Sequence, residues 1–212
     1  MIQDEQIQII HGDILRENMV ELADDLKRRS LAMQSTSAQT PKVVANLPYN
    51  ITKEFLLKSL PLGGEVFSSL FLMLQHEVAE RLINNQSGSS DWRAMNILIQ
   101  YYCEPKYLFK IDRLKYSPVP KVDGALAKFR LKTRQERISV PSEKEFVSLV
   151  KRAFLQRRKM LTNSLQPLLN SSEIAKCLTK AELPIDCRAQ ALSLEDFVRL
   201  SWAMHSQGEL VK

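Results

Sequence analysis

The order of apolar and polar positions in the first part of the chain predicts strands that alternate with helices. Residues 7–10 and 42–45 are short, β-branched runs and are typical of strands. Between them, residues 17–29 carry apolar side chains at helical spacing, and a Ser/Thr/Gln-rich connection follows at 30–41. A strand, a helix and a second strand in this order predict an α/β sheet.

The same alternation continues downstream. Residues 52–60 and 76–84 have helical spacing, and the apolar run 66–74 predicts a buried strand. Residues 96–103 fit a further strand or the end of a helix, and residues 122–131 predict an edge strand. These segments bring the expected number of strands to about five.

Helix signals dominate from Pro141 onward. Ser142 and Glu145 have the spacing of a capping box, and apolar residues follow at helical intervals as far as Leu161. Ser193 and Asp196 begin a second helix in the same way. The pattern therefore predicts two units, residues 1–137 with an α/β sheet and residues 138–212 as a small all-α domain.

Composition excludes several classes of protein. The 212 residues are 44% hydrophobic, which is enough for a sizeable core, and the longest apolar run, at 68–74, is far too short to span a bilayer. The beginning of the sequence has no basic-then-apolar leader. Three cysteines and three histidines without ligand spacing predict neither disulfides nor a metal site, and favour a reduced, cytoplasm-like compartment.

Positive charge is concentrated locally. The formal net charge is +6, yet residues 104–137 hold ten Lys and Arg against four Asp and Glu. The stretch 151–163 contains no acidic residue, which favours a polyanionic partner, although a solvated helix face would have the same pattern. Its basic residues are Lys151, Arg152, Arg157, Arg158 and Lys159.

The segment Asn46-Leu47-Pro48-Tyr49 carries the clearest chemical signal. It follows strand 42–45, so Asn46 is expected at the carboxyl end of a sheet strand, where open α/β sheets bind ligands. An Asn carbonyl and a backbone carbonyl can accept the hydrogens of an amine, proline holds the backbone extended, and Tyr49 can stack on a base. A helix N-cap or an Asx turn would use the same residue types, so four residues alone leave both interpretations open.

Five blocks in order and spacing identify a resemblance. Together they cover essentially the whole chain, and they resemble the KsgA-type ribosomal RNA small-subunit adenine dimethyltransferases. A match of this kind is much more specific than one tetrapeptide. The blocks are residues 46–52, 74–82, 116–124, 154–161 and 192–197.

The resemblance implies a fold, a reaction and partners. It implies a Rossmann-like class I methyltransferase domain at 1–137 and a helical RNA-binding domain at 138–212. The implied reaction is S-adenosylmethionine-dependent dimethylation of adenines in small-subunit rRNA during ribosome biogenesis, without a metal. The implied partner is the immature small ribosomal subunit, with the chain acting as a monomer and away from membranes.

The resemblance also implies roles for individual residues. Asn46 and the Pro48 carbonyl, in the segment that includes Leu47, would hold the target amine, with Tyr49 and Tyr116 on the two faces of the adenine. Asp13 would contact the adenine of the methyl donor, with Asn46 close to the donor as well; a turn cap is the alternative role for Asp13. The family more often has Phe at position 116 and Ser at position 124, where this chain has Tyr116 and Gly124.

Further residues are implied to contact RNA or to support the structure. A basic helix around Arg157 would grip RNA phosphates, together with Lys121. Glu77, Glu80 and Arg81 are expected to form ion pairs on a helix surface. The residues expected at the RNA are Lys121, Lys151, Arg152, Arg157, Arg158 and Lys159.

One family feature is missing from the sequence. The six glycines contain no GxG pattern, and residues 7–10 align with the third strand of the family's sheet, so we expect a truncated chain whose first strand lacks its neighbours. Such a chain would bind the donor poorly and be unstable. The alternatives are a non-catalytic rRNA-binding or assembly factor, a large-subunit rRNA adenine methyltransferase, and an organellar relative with a role in transcription.

Overall fold

The computed structural model describes residues 7–32 and 39–206. Within these ranges four strands and eight α-helices follow one another, with short 3-10 turns between them. The strands are β1 Lys42–Asn46, β2 Ser69–Gln75, β3 Cys103–Ile111 and β4 Gly124–Leu131. The helices are α1 Met19–Ala32, α2 Thr52–Ser59, α3 His76–Ile83, α4 Ala94–Tyr102, α5 Glu143–Leu155, α6 Leu161–Ser164, α7 Ser171–Lys180 and α8 Leu194–His205.

The strands form one mixed sheet in the order β1-β2-β4-β3. β1 and β2 run parallel, with Asn46 opposite Met73, whereas β4 is antiparallel to both of its neighbours. The parallel pair needs a crossover, which α2 supplies. The carboxyl ends of β1 and β2 therefore lie side by side.

One face of the sheet carries the core. Leu70, Leu72 and Leu74 of β2 are fully buried and alternate with half-buried residues, as expected for a strand with a single covered face. Phe129 of β4 belongs to the same buried layer. The helices α3 and α4 contact the sheet, and the sequence-predicted α/β class is therefore confirmed.

The predicted strands need three corrections. Residues 7–10 form no strand: their backbone pairs with no described strand, and Ile9 is 77% exposed. Residues 122–131 are not at an edge, because β4 pairs on both sides. Residues 96–103 belong mainly to α4, which is the helix alternative. The sheet edges are β1 and β3, and the hydrophobic pattern missed β3 because polar residues occupy much of it.

The C-terminal helices begin where the sequence predicts. The Ser142 hydroxyl accepts from the Glu145 amide at 3.3 Å, and Ser193 and Asp196 form both bonds of a capping box. The predicted basic helix is wrong, however, since α5 ends at Leu155 and residues 156–159 form a turn. Arg157, Arg158 and Lys159 lie on that turn.

The helical segment and the sheet share one hydrophobic core. α4 contacts both α5 and α8. The buried Trp92, just before α4, donates its indole N–H to the Leu192 carbonyl at 2.9 Å. The division into domains at residue 137 stays a prediction.

A cluster around Arg137 joins several elements. Its guanidinium donates to Glu143 at 2.8 Å and to the Pro61 carbonyl at 3.2 Å, and it lies 4.9 Å from the centre of the Tyr102 ring. Tyr102 donates to the same Glu143 carboxylate at 3.0 Å. Burial and the neighbouring Glu143 raise the pKa of Tyr102, so the phenol keeps its proton.

None of the helices in the described ranges has the length and apolar character needed to span a membrane.

Candidate active site

The segment after β1 turns sharply into α2. Leu47 is buried and anchors the segment, while Pro48 is extended, with φ −54° and ψ 133°. Tyr49 then begins a 3-10 turn, Tyr49–Ile51, that leads into α2 at Thr52. Proline suits the position before a helical turn because it lacks an N–H group. Asn46 thus lies at the carboxyl end of a sheet strand, as the sequence predicts.

Acceptor groups remain available at this turn. The Asn46 side chain is exposed and makes no hydrogen bond with another residue of the described ranges. The Pro48 carbonyl accepts from the Ile51 amide at 3.1 Å, and a carbonyl oxygen has a second lone pair. The turn can therefore accept two further hydrogens, one at Asn46 and one at Pro48.

Tyr116 lies beside the same strand ends. Its hydroxyl donates to the sulfur of Met73 at 3.2 Å, and Met73 is the β2 neighbour of Asn46. Burial, with a smaller contribution from Tyr49, raises the pKa of Tyr116. The structure therefore brings Tyr49 and Tyr116 to the strand end that carries Asn46, and a Cβ atom at Gly124 would overlap the Tyr116 hydroxyl.

Asp123 holds the loop that carries Tyr116. Its carboxylate accepts from the Arg113 amide at 2.9 Å and pairs with Lys110 at 2.8 Å, and its carbonyl accepts from the His76 amide at 2.9 Å. The Lys110 ammonium, and then the Arg113 amide, hold the pKa of Asp123 below its usual range. The sequence did not single out Asp123, whose role depends on contacts across the loop.

Asp13 is used within its own turn. Its carboxylate accepts from the Leu15 amide at 3.0 Å and lies 3.6 Å from Arg16. Lys58 of α2 attaches this turn to the fold by donating to three backbone carbonyls, those of Ile14, Leu15 and Glu17. These are the contacts of a turn cap, and the role of Asp13 at a methyl donor stays a prediction.

The predicted RNA contacts do not lie on one helix face. Lys151, on α5, lines a cleft of about 750 Å³ that also contains Tyr49. Arg152 and Lys159 line a separate cleft of about 480 Å³, and Lys121 lines a third of about 420 Å³. Arg158 is exposed.

Sequence reasoning missed most of the basic residues in the Tyr49 cleft. Lys53, Arg81 and Arg93 come from three different helices or their ends and meet only in the fold. Arg81 makes no ion pair with any described residue, so its expected helix-surface pair is not observed; nearby, Glu80 accepts from the Asn84 amide group at 2.7 Å. The spacing of Lys53, Arg81 and Arg93 along the sequence does not indicate that they line one cleft.

The parallel ends of β1 and β2, with Tyr49 and Tyr116 beside them, form the candidate site of an α/β fold. The chain belongs to the ribosomal RNA adenine dimethylase family, whose model matches residues 1–205. The family resemblance identified from the sequence is thereby confirmed. Among the described residues, no cluster of three or more His, Cys, Asp or Glu side chains could hold a metal.

Two relatives illustrate the similarity. The chain is 45% identical over 159 residues to the chloroplastic ribosomal RNA small subunit methyltransferase of Arabidopsis thaliana, covering 75% of this chain and 46% of that protein. It is 35% identical over 211 residues to ribosomal RNA small subunit methyltransferase A of Streptococcus sanguinis (strain SK36), covering 96% of this chain and 68% of that protein. The chain thus spans about half of the first relative and about two thirds of the second.

Solved structures agree with the fold. A dimethyladenosine transferase from Plasmodium falciparum matches with a TM-score of 0.62 at 20% identity, over 89% of this chain and 80% of that one. The 23S rRNA methyltransferase ErmE matches with a TM-score of 0.57 at 19% identity, over 87% and 78%. The Rossmann-like fold class expected from the sequence is confirmed.

Proposed function

We propose that this chain holds the acceptor adenine in the S-adenosylmethionine-dependent dimethylation of small-subunit ribosomal RNA. The observation that carries the proposal is the position of Asn46-Leu47-Pro48-Tyr49 at a parallel strand end, with Tyr116 beside it. Family membership supports the same reaction, and the names of the two relatives describe small-subunit methyltransferases.

The chemistry requires acceptors at the target amine. The lone pair of the adenine N6 amine is conjugated with the ring, so the nitrogen is a weak nucleophile until its hydrogens are held. The exposed Asn46 carbonyl and the second lone pair of Pro48 can accept those two hydrogens. Fixed acceptors of this kind stabilise the charge that develops on the nitrogen during transfer.

The two tyrosines would hold the base itself. An adenine must leave its stack to reach the strand end, and aromatic faces replace the stacking that it loses. Tyr49 is 37% exposed, so its ring is available to a ligand. The raised pKa of Tyr116 keeps that phenol neutral at physiological pH.

The described residues fit the acceptor side of the reaction better than the donor side. S-adenosylmethionine supplies the methyl group when bound. Asn46 is exposed and can contact it, and the exposed Asp13 carboxylate retains acceptor capacity beyond the Leu15 amide. The described ranges contain no glycine-rich loop beside Asn46 and Asp13. Our proposal assigns this chain the role of holding the acceptor adenine.

Methylation of immature small subunits tests the proposal. Tritiated S-adenosylmethionine would be supplied with the natural protein that contains this chain. We expect that protein to incorporate two methyl groups per target adenine, and Asn46→Ala to lower its rate about 10²- to 10³-fold. The matched control Asn84→Ala should keep the rate, and an unaffected Asn46→Ala variant would contradict the proposal.

A second candidate function is binding of the same RNA without methyl transfer. It is favoured by Asp13, whose carboxylate already caps its own turn and faces Arg16. Calorimetric titration of S-adenosylmethionine separates the two functions: micromolar or tighter binding supports the enzyme, whereas RNA binding without donor binding supports the assembly factor.

The cellular setting is part of the proposal. The higher identity to the chloroplastic relative, 45% against 35% for the streptococcal one, favours an organelle over the cytoplasm. Imaging the product of the full natural gene fused to a fluorescent protein would decide between the two compartments.

A further inference from the structure

Lys58, near the end of α2, uses its charge on backbone atoms of a distant segment. Its ammonium donates to three carbonyls, those of Ile14 at 3.3 Å, Leu15 at 2.7 Å and Glu17 at 2.5 Å. An ammonium group has three N–H donors, and these contacts use all of them. The half-buried Lys58 side chain therefore joins α2 to residues that lie 41–44 positions earlier in the chain.

The segment bound in this way is the tight turn at residues 12–17, which we call the Asp13 turn. Within it, the Asp13 carbonyl accepts from the amides of Arg16 at 2.8 Å and Glu17 at 3.1 Å. The Glu17 side chain folds back over Gly12, where a Cβ atom would overlap its carboxylate. These contacts give the turn a definite local shape.

Few contacts set the orientation of the Asp13 turn on the fold. Residues 7–10 before it are exposed and pair with no described strand, while α1 after it is anchored by its own buried residues. Ile14 and Leu15 pack against the core but are only partly buried. Apolar packing is non-directional, whereas hydrogen bonds have a preferred geometry, so the three bonds from Lys58 supply the orientation.

α2 is itself continuous with the acceptor segment. Asn46 ends β1, and the chain then runs through the 3-10 turn Tyr49–Ile51 directly into α2. Phe55 and Leu56 are each only 1% exposed, so the core holds this helix in place. The chain from Asn46 to Lys58 is therefore a stiff unit, with the acceptor groups at one end and the ammonium at the other.

We propose that Lys58 is a positioning residue for the methyl donor, because it holds the Asp13 turn at a fixed place relative to Asn46. The inference rests on the proposed function, in which Asp13 contacts the donor and Asn46 holds the acceptor amine. Alignment of two reactants matters strongly, since a misplacement of about 1 Å can slow a reaction about 10²-fold. Lys58 acts on this alignment through the three carbonyls that it binds.

Ligand titrations of the natural protein that contains this chain test the role of Lys58. Lys58→Met keeps the stem of the side chain and removes its three donors. Calorimetry should show S-adenosylmethionine binding about tenfold weaker, the equivalent of one hydrogen bond lost between the turn and the donor. Adenosine monophosphate should bind as it does to the wild type, because Phe55 and Leu56 still hold α2. A purely structural role would weaken both ligands or neither.

Hydrogen exchange in the absence of any ligand reports on the turn itself. Lys58→Met should speed up exchange of the Arg16 and Glu17 amides, because a turn without its anchor opens more often. The matched control is Lys27→Met on α1, since the Lys27 ammonium also donates to a distant carbonyl, that of Glu65 at 2.9 Å. This control should change neither donor affinity nor exchange in the Asp13 turn.

The outcomes separate this inference from the proposed function. Wild-type donor affinity in Lys58→Met would overturn the inference, and so would an equal loss in Lys27→Met or a parallel loss of adenosine monophosphate binding. Methylation that depends on Asn46, without any effect of Lys58→Met on donor binding, would overturn the inference alone. A wild-type protein that binds no S-adenosylmethionine would overturn both.

Discussion

At the scale of single residues, Tyr116 and Gly124 must be considered together. Compared with the family pattern, Tyr116 and Gly124 are two separate and mild departures. In the structure, however, the Tyr116 hydroxyl occupies the space that a Cβ atom at position 124 would need. That hydroxyl also donates to Met73, next to Asn46 across the strand pair. Gly124 therefore permits the position of the Tyr116 ring.

Gly124→Ala should move the Tyr116 ring away from the strand ends. Overpacking of this kind costs about 1–3 kcal/mol, and we expect a lower affinity for adenosine monophosphate, measured by calorimetry. Tyr116→Phe alone should bind nearly as well as the wild type. The double variant Tyr116→Phe/Gly124→Ala should recover the affinity, because the hydroxyl that clashes is absent; a double variant as weak as Gly124→Ala would show that the overlap is not the cause.

Residue-level prediction from the sequence succeeded where a function depends on neighbours along the chain. Asn46, Pro48 and Tyr49 follow a recognisable strand, so their position at its end could be predicted. Arg81 and Arg93 could not be assigned to a shared cleft, since they meet only through the packing of α3 against α4. Their roles depend on tertiary contacts that spacing does not encode.

At the scale of elements, the segment between β3 and β4 positions Tyr116 through Asp123. The Asp123 carboxylate accepts a hydrogen bond from the Arg113 amide and forms an ion pair with Lys110. The Asp123 carbonyl accepts a hydrogen bond from the His76 amide at the beginning of α3. The loop is thus tied both to its own beginning and to the neighbouring helix.

Asp123→Asn should loosen this loop without unfolding the sheet. We expect faster amide hydrogen exchange in residues 112–122, which hydrogen-exchange mass spectrometry can measure, because the ion pair with Lys110 no longer forms. The variant Asp112→Asn, which alters only the local cap on the Leu114 amide, is the matched control. Unchanged exchange in Asp123→Asn would contradict the proposed role of the carboxylate.

The same carboxylate predicts a pH dependence. The native pKa of Asp123 is lowered from its ordinary value of 3.8, so its stabilising contacts are fully present above that value. They are lost as the pH falls through the lowered native pKa. Loop exchange, corrected for the intrinsic effect of pH, should therefore be constant from neutral pH down to about 4 and rise only below it.

Element boundaries show where the hydrophobic pattern is informative. α8 begins at its capping box, and β2 has the continuous apolar character of a covered strand. β3 was missed because Glu104, Lys106 and Lys110 are exposed at an edge, where alternation is weak. Residues 7–10 have strand composition but no described partner, and a ladder requires one.

At the scale of the whole molecule, Arg137 joins the sheet region to the C-terminal helices. Only 4% of its side chain is exposed, and it contacts Glu143, Pro61 and Tyr102, which lie in three different parts of the fold. Its position follows β4 and precedes α5.

Arg137→Met should lower the free energy of unfolding by about 2 kcal/mol, because hydrogen bonds to charged groups contribute roughly 1.5–3 kcal/mol each and Glu143 remains partly solvated. Urea denaturation followed by circular dichroism measures the change. Arg134→Met, at an exposed side chain nearby, should stay within about 0.5 kcal/mol of the wild type. Equal effects of the two substitutions would show that the buried guanidinium has no special role.

The hydrogen bond of the Trp92 indole has a consequence for the shape of the Tyr49 cleft. By donating to the Leu192 carbonyl, Trp92 ties the segment before α4, with Ser90 and Arg93, to the C-terminal helices that also contribute Lys151. Arg93 and Lys151 line the Tyr49 cleft from these two sides, so this single hydrogen bond helps to set the width of that cleft.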